Sequence, residues 1–423
     1  MIKILTSYDE KEILERSTAT VDVSPIVRDI IDNVRNNGDK ALLEYSKKFD
    51  KVEPESFEIS PEEMKKAFDS IDEDFKQVLQ EAASNIREYH IAQLRKGYEI
   101  KRDNGVKIGR KVLPIERVAL YVPGGTAAYP SSVLMNCIPA KIAGVNEIIM
   151  TTPPSADGGI NPDILAAAYI AGVDRIFCIG GAQAVAALAY GTETVPKVDK
   201  IVGPGNAFVA EAKRQVYGLV DIDMIAGPSE ILIVADESCD PKAAAADMLS
   251  QAEHDKNATA VLITNSRALA EATAYELERQ LSLLPREEIA RASIEKNGKI
   301  IIAESIEDAI SLSNRLAPEH LEINTVNAEE MLDLVKNAGS VFLGANCPEA
   351  VGDYFSGTNH VLPTSGTARF ASALSVDDFT KTIEYTYYPK DALMKDADKI
   401  ALFAMREGLD AHARSALVRK ELK

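Results

Sequence analysis

Two parallel-sheet α/β domains, with a helical segment before them and a helical tail after them, are what this sequence predicts. Three observations lead there. Short apolar runs recur along the chain, at residues 118–122, 147–151, 175–179 and 200–202 and again at 231–234, 260–263, 300–302, 321–323 and 340–343. Most close on glycine, proline or a small polar residue. Stretches of helical periodicity then separate them, and strand, turn and helix repeated in this way is the pattern of a Rossmann-like sheet covered on both faces.

Taken in order, Ser24-Pro25 opens an amphipathic helix with Val27, Ile30, Ile31 and Val34 on one face, and Asn37-Gly38 closes it. Ser60-Pro61-Glu62-Glu63 has the form of a capping box. Val78, Leu79, Ala82, Ile86 and Tyr89 stripe a long helix, and His90 beside the stripe reads as structural. At about Arg117 the period changes to that of strands. The turns Tyr121-Val122-Pro123-Gly124-Gly125, Gly180-Gly181-Ala182-Gln183-Ala184 and Gly203-Pro204-Gly205-Asn206-Ala207 then follow three of the runs. Glycines there admit the close approach of a pyrophosphate, and the next helix offers free N–H groups, although tight βα connections need no ligand to explain them. A second α/β unit starts near Glu230, and helical periodicity returns beyond Ser375. The expected division is residues 1–115, helical; 116–227, nucleotide-binding α/β; 228–372, catalytic α/β; and 373–423, a helical tail.

The chain has 423 residues, too many for one ordinary core, and 46% hydrophobic content supports more than one. Lys and Arg number 47 against 65 Asp and Glu, a formal charge of −18, which disfavours nucleic acid and anionic membranes as partners. Cys137, Cys178, Cys239 and Cys347 form no Cys-x-x-Cys pair and imply no disulfide framework. The N-terminus has no signal-peptide core, and no run is long enough to span a bilayer. A soluble, cytoplasmic protein is expected.

The chemistry centres on Gln251-Ala252-Glu253-His254, at the end of a helix opened by Asp240 as N-cap and Pro241 in the first turn. Residues three apart share a helix face, so an amide oxygen and an imidazole point the same way, an arrangement suited to a borderline cation such as zinc, although such a pair alone is more often a pair of satisfied surface groups. Of the five histidines, His320 follows Glu319, His360 ends a loop that begins near Asp353, and His412 lies just after Asp410 in the tail. A set of Gln251, His254, Asp353 and His412 would carry one negative ligand and leave zinc electrophilic. Two uses follow: zinc hydroxide for hydrolysis of a small nitrogenous substrate, or orientation of an alcohol while hydride leaves for a nicotinamide. A catalytically silent binding protein is a third reading. The Gly-rich strand ends favour the dehydrogenase.

The turns named above, with Ala226-Gly227-Pro228-Ser229-Glu230, Gln251-Ala252-Glu253-His254, Ala317-Pro318-Glu319-His320-Leu321 and Asp353-Tyr354-Phe355-Ser356-Gly357, resemble in order the motifs of the histidinol dehydrogenase family. The resemblance implies oxidation of L-histidinol to L-histidine through L-histidinaldehyde with two NAD reduced, the last step of histidine biosynthesis. It implies one zinc per subunit on Gln251, His254, Asp353 and His412, with His320 as general base and Glu319 activating water. Ser229, His360 and Glu407 match substrate-contacting positions, as do His320 and the four zinc ligands, and Tyr121, Gln183 and Asn206 match positions lining the NAD site. It also implies a homodimer whose C-terminal tail completes the partner's site.

Overall fold

In the computed structural model, residues 2–6, 13, 22–124, 129–155 and 158–422 are described. They fall into two compact units, residues 1–93 with 115–379, and residues 94–114 with 380–423. The architecture is mixed α/β with parallel sheets, as the strand and helix repeats predict.

The larger unit holds two six-stranded sheets. The first runs in the order Glu58–Ile59, Arg175–Cys178, Glu147–Thr152, Arg117–Tyr121, Lys200–Val202, Asp221–Ile222, parallel throughout except for Glu58–Ile59. The second runs Lys3–Leu5, Lys299–Ile302, Thr259–Thr264, Glu230–Ala235, His320–Asn324, Ser340–Leu343, all parallel. Each sheet is buried on both faces, which is why its strands read as continuous apolar runs. Val118 and Leu120 pack on one face with Val133, Leu134 and Ile138, while Ala119 and Tyr121 pack on the other with Val185 and Leu188. The second sheet repeats the arrangement, Ile231 and Ile233 against Met248 and Leu249, and Leu232 and Val234 against Ile310 and Leu312. In both sheets the strand order reverses, at Arg117–Tyr121 and at Glu230–Ala235, and such switch points leave crevices.

Local signals account for the helices. Ser60 and Glu63 exchange the reciprocal hydrogen bonds of a capping box at the start of Pro61–Ser70. Asp240 accepts from the Lys242 N–H and opens Pro241–Ala252. Gly38, expected to end the first helix, bends it instead. At φ 51° and ψ −132° it breaks the ladder, and helical structure resumes as far as Tyr45.

The reading of residues 1–115 and 373–423 as helical holds only in part. Lys3–Leu5 and Glu58–Ile59 join the two large sheets as edge strands. In the smaller unit, Thr380–Tyr387, Lys107–Pro114 and Tyr98–Lys101 form an antiparallel sheet of three strands. Residues 380–387 are rich in β-branched and aromatic side chains, which suit a pleated ribbon. They lack an apolar face, so hydropathy alone does not mark them. The helices Lys390–Arg406 and Asp410–Leu417 pack on each other through Ala401, Ala404 and Ala413. No helix among the described residues is long and apolar enough to cross a membrane.

Candidate active site

The site forms at the amino ends of the second sheet's strands. Helix Pro241–Ala252 returns antiparallel to the strands it connects, so its last turn delivers Gln251 to that edge, and His254 follows in the turn just beyond. His320 is the first residue of its strand and pairs in register with Ile231, one residue after Glu230. Ser229 precedes the neighbouring strand, and its carbonyl accepts from the Thr259 N–H. Asp353, expected on a loop, lies in the short helix Glu349–Tyr354. The general rule that ligands bind at carboxyl ends therefore fits the first sheet's glycine turns and not this constellation.

Glu319 and His320 are 7% and 3% exposed, so their charges interact with little screening by water. Glu319 Oε2 accepts from the Glu230 N–H at 2.8 Å and lies 3.6 Å from His320 Nδ1. Nδ1 of His320 donates to the Glu230 carbonyl at 2.9 Å, which fixes the tautomer. Its Nε2 is left buried without a hydrogen bond, 3.7 Å from Asp353 Oδ1. Burial pushes Glu319 up to about 7, against the opposing pull of His320. Burial works to lower His320, but the Glu319 and Asp353 carboxylates outweigh it and raise the imidazole to about 10. For Asp353, burial works upward, while His320, His360 and His254 hold it below its ordinary value. Burial lowers both His254 and His360, with Asp353 opposing. Asp353 is thus the hub on which three imidazoles converge electrostatically.

Gln251 is 1% exposed, and its Nε2 donates to Glu349 Oε1 at 2.7 Å. Its Oε1 is buried with no hydrogen-bond partner. An orphaned amide oxygen costs about 1–3 kcal/mol, and a cation would satisfy it. Among the described residues no three His, Cys, Asp or Glu side chains group so as to hold a metal. Only two of the expected ligands in this unit, His254 and Asp353, are of those types, and Gln251 contributes an amide. His412 and Glu407 lie in the smaller unit, His412 within Asp410–Leu417 and Glu407 capping Lys390–Arg406, both exposed.

The glycine turns sit at the carboxyl ends of the first sheet. Tyr121 is buried, and its hydroxyl accepts from the Gly181 N–H at 3.0 Å, tying the first turn to the second. Burial pushes that phenol up to about 12. Gln183 is buried in the first turn of Gly181–Tyr190, and the exposed Asn206 caps Ala207–Val216 by accepting from the Phe208 and Val209 N–H groups. At Gly203 (φ +109°) a Cβ would stand 2.1 Å from the Tyr121 carbonyl, so only glycine fits. A buried ion pair holds this turn from beneath. Asp223 accepts from the Gly203 N–H at 2.7 Å, and Lys213, which pairs with Asp223, donates to the Gly203 carbonyl at 2.9 Å. Gly125, the last residue of the first turn, lies outside the described residues.

The N-terminal helix Glu73–Ile91 braces the loop between Asp353 and His360. Asn85 Nδ2 donates to the Phe355 carbonyl at 2.7 Å. His90 Nδ1 donates to Ile86 O, leaving Nε2 to accept from Asn359 Nδ2, which also donates to Met135 O. His90 is structural, as read, but what it secures is the residue beside His360. Sequence reasoning missed this brace and the carboxyl groups Glu230, Glu322, Glu349 and Asp247. Asp247 lies one helical turn before Gln251, and Glu322 two strand residues after His320, so their spacing was the available signal.

A buried His–Glu pair, an imidazole with a free nitrogen and glycine turns on a parallel sheet define an α/β enzyme of the oxidoreductase kind. A family profile described as histidinol dehydrogenase matches residues 14–420. The chain is 57% identical over 393 residues to the histidinol dehydrogenase of Clostridium acetobutylicum, covering 93% of this chain and 91% of that protein. It is 54% identical over 427 residues to that of Streptococcus mutans, covering 99% and 100%. The crystal structure of histidinol dehydrogenase from Elizabethkingia anophelis superposes with a TM-score of 0.94 at 39% identity, over 99% of this chain and 98% of that one. The chain belongs to the histidinol dehydrogenase family, and is an oxidoreductase of histidine biosynthesis.

Proposed function

We propose that this chain carries out the zinc-dependent, NAD-linked four-electron oxidation of L-histidinol to L-histidine through L-histidinaldehyde, in the cytoplasm. The observation that supports it is the buried Gln251 Oε1 left without a hydrogen-bond partner, in a unit where Asp353 Oδ1 stands 3.7 Å from His320 Nε2 beside Glu319. Gln251, His254 and Asp353 would hold the zinc, with His412 supplied by a second copy of the chain. Exposed Leu402, Phe403 and Met405 on the tail helix suit such a dimer. Zinc held there would anchor the substrate and supply Lewis-acid polarisation of its oxygen. The turns at Tyr121, Gln183 and Asn206 would hold NAD, which would supply the hydride acceptor for both oxidations.

The chain's own residues manage the protons. With Nδ1–H committed to the Glu230 carbonyl, His320 presents the Nε2 lone pair and takes the alcohol proton as hydride leaves carbon. Against the pull of burial, His320 is raised by the Glu319 and Asp353 carboxylates, and if Asp353 held a cation that part of the raising would be offset. Glu319, held near neutrality by burial, takes a proton from the water that adds to the aldehyde. His320 returns its proton to the aldehyde oxygen as that water adds, and then takes the hydrate's hydroxyl proton in the second oxidation. Ser229, His360 and Glu407, with the ligands above, would contact the substrate. The test is to count NADH formed per histidinol consumed, with and without a chelator. A ratio near two that collapses on chelation is expected; cleavage of substrate with no nicotinamide requirement would instead mark a zinc hydrolase and overturn the proposal.

A further inference from the structure

An amide binds a cation through its oxygen alone, yet a glutamine side chain can present oxygen or nitrogen with equal ease. At Gln251 something must decide. A carboxylate only accepts hydrogen bonds, so Glu349, 2.7 Å away and 3% exposed, compels the amide nitrogen to face it and the oxygen to face away. That oxygen is the buried atom without a partner.

Resting on the metal reading above, we propose that Glu349 is a positioning residue that turns the Gln251 oxygen toward the cation, and that Glu322 and Asp247 hold Glu349 in place. Glu322 Oε1 accepts the Glu349 N–H at 2.8 Å, fixing the start of the helix Glu349–Tyr354. Asp353 lies one turn further along that helix, so a single anchored element both orients one ligand and supplies another. Glu322 shares a strand face with His320, two residues away, and Asp247 shares a helix face with Gln251 and neighbours the Glu322 carboxyl. Three elements are thereby locked in register: Gln251 to Glu349, the Glu349 N–H to Glu322, and Asp247 beside Glu322. Carboxyl groups behind the ligands are the expected support for a metal site.

The experiment titrates Zn(II) into chelator-stripped, full-length protein against a chromophoric competitor, with thermal melting of the metal-free protein alongside. Wild type, Glu349→Gln, Gln251→Glu and the reversed pair Gln251→Glu/Glu349→Gln are compared. Glu349→Gln, which no longer dictates the amide orientation, is expected to weaken zinc binding about 10- to 100-fold with little change in the metal-free melt. Gln251→Glu sets two carboxylates against each other and weakens it too. In the reversed pair the new amide donates to the new carboxylate, leaving one oxygen facing the ion, so affinity should return to within about tenfold of wild type. Wild-type affinity in Glu349→Gln, or a reversed pair that binds no better than Gln251→Glu, would overturn the inference, and the reversed pair carries the test alone if a single variant does not fold. Wild-type protein that binds no stoichiometric zinc would instead overturn the metal reading on which the inference rests.

Discussion

Replacing Lys213 with methionine removes one member of an ion pair whose side chains are only 2% and 1% exposed. Methionine keeps the length of the side chain and leaves Asp223 charged, buried and supported only by the Gly203 and Met224 N–H groups. Breaking a buried pair from one side costs about 3–5 kcal/mol, because the remaining charge loses its partner without regaining water. With an unfolding entropy of about 2.1 cal/mol/K per residue and a unit of roughly 360 residues, each kcal/mol moves the melting temperature by about 1.3 °C. The expected fall is therefore about 4–7 °C, read by thermal unfolding at fixed protein concentration. The same substitution frees the Gly203 carbonyl, so the KM for NAD should rise while zinc stoichiometry stays at wild type. Lys213→Met/Asp223→Leu abolishes the stranded charge and should recover at least half of the melting temperature without restoring the KM. A single variant melting within about a degree of wild type, or a double variant no more stable than the single, would refute this account of the turn.

Glu319→Gln should slow oxidation of supplied histidinaldehyde by about 10²-fold or more while slowing oxidation of histidinol to the aldehyde far less; equal losses at both steps would remove its role with water. His412→Ala should leave the metal-free melt unchanged and drop zinc below one per chain, read by metal analysis after gel filtration. Asp247 is raised to about 6, chiefly by burial, so the folded state keeps a proton that the unfolded state releases near pH 4. That contribution is present at low pH and lost as pH climbs from about 4 to about 6. Metal-free wild type should accordingly lose stability relative to Asp247→Asn across that window, and parallel curves would count against a raised Asp247 carboxyl.

The fold was legible wherever burial made the pattern continuous. Strands covered on both faces, such as residues 231–234, can only be apolar, and helices opened by Ser60 or Asp240 announce themselves by capping. The strands at residues 3–5 and 58–59 were not legible because they are too short to show a period, and that at 380–387 because it carries no apolar face to detect. The candidate site residues were legible in the sequence as motifs, because histidine is scarce in it and Glu319-His320 and Gln251-x-x-His254 are uncommon pairings. Their supports were not: Glu322 sits between Leu321 and Ile323 and reads as ordinary alternation, and Glu349 reads as a helix-start charge. What each accepts a hydrogen bond from is decided by elements that meet only in three dimensions.

The brace between Asn85 and Phe355 spans 270 residues of chain. At about 5–20 residues per second a ribosome needs roughly 15–50 s to travel that distance. The helix bearing Asn85 and His90 therefore leaves the ribosome long before the loop it grips. A nascent chain halted anywhere in between carries an empty clamp, with the helix already made and the loop it grips still to come.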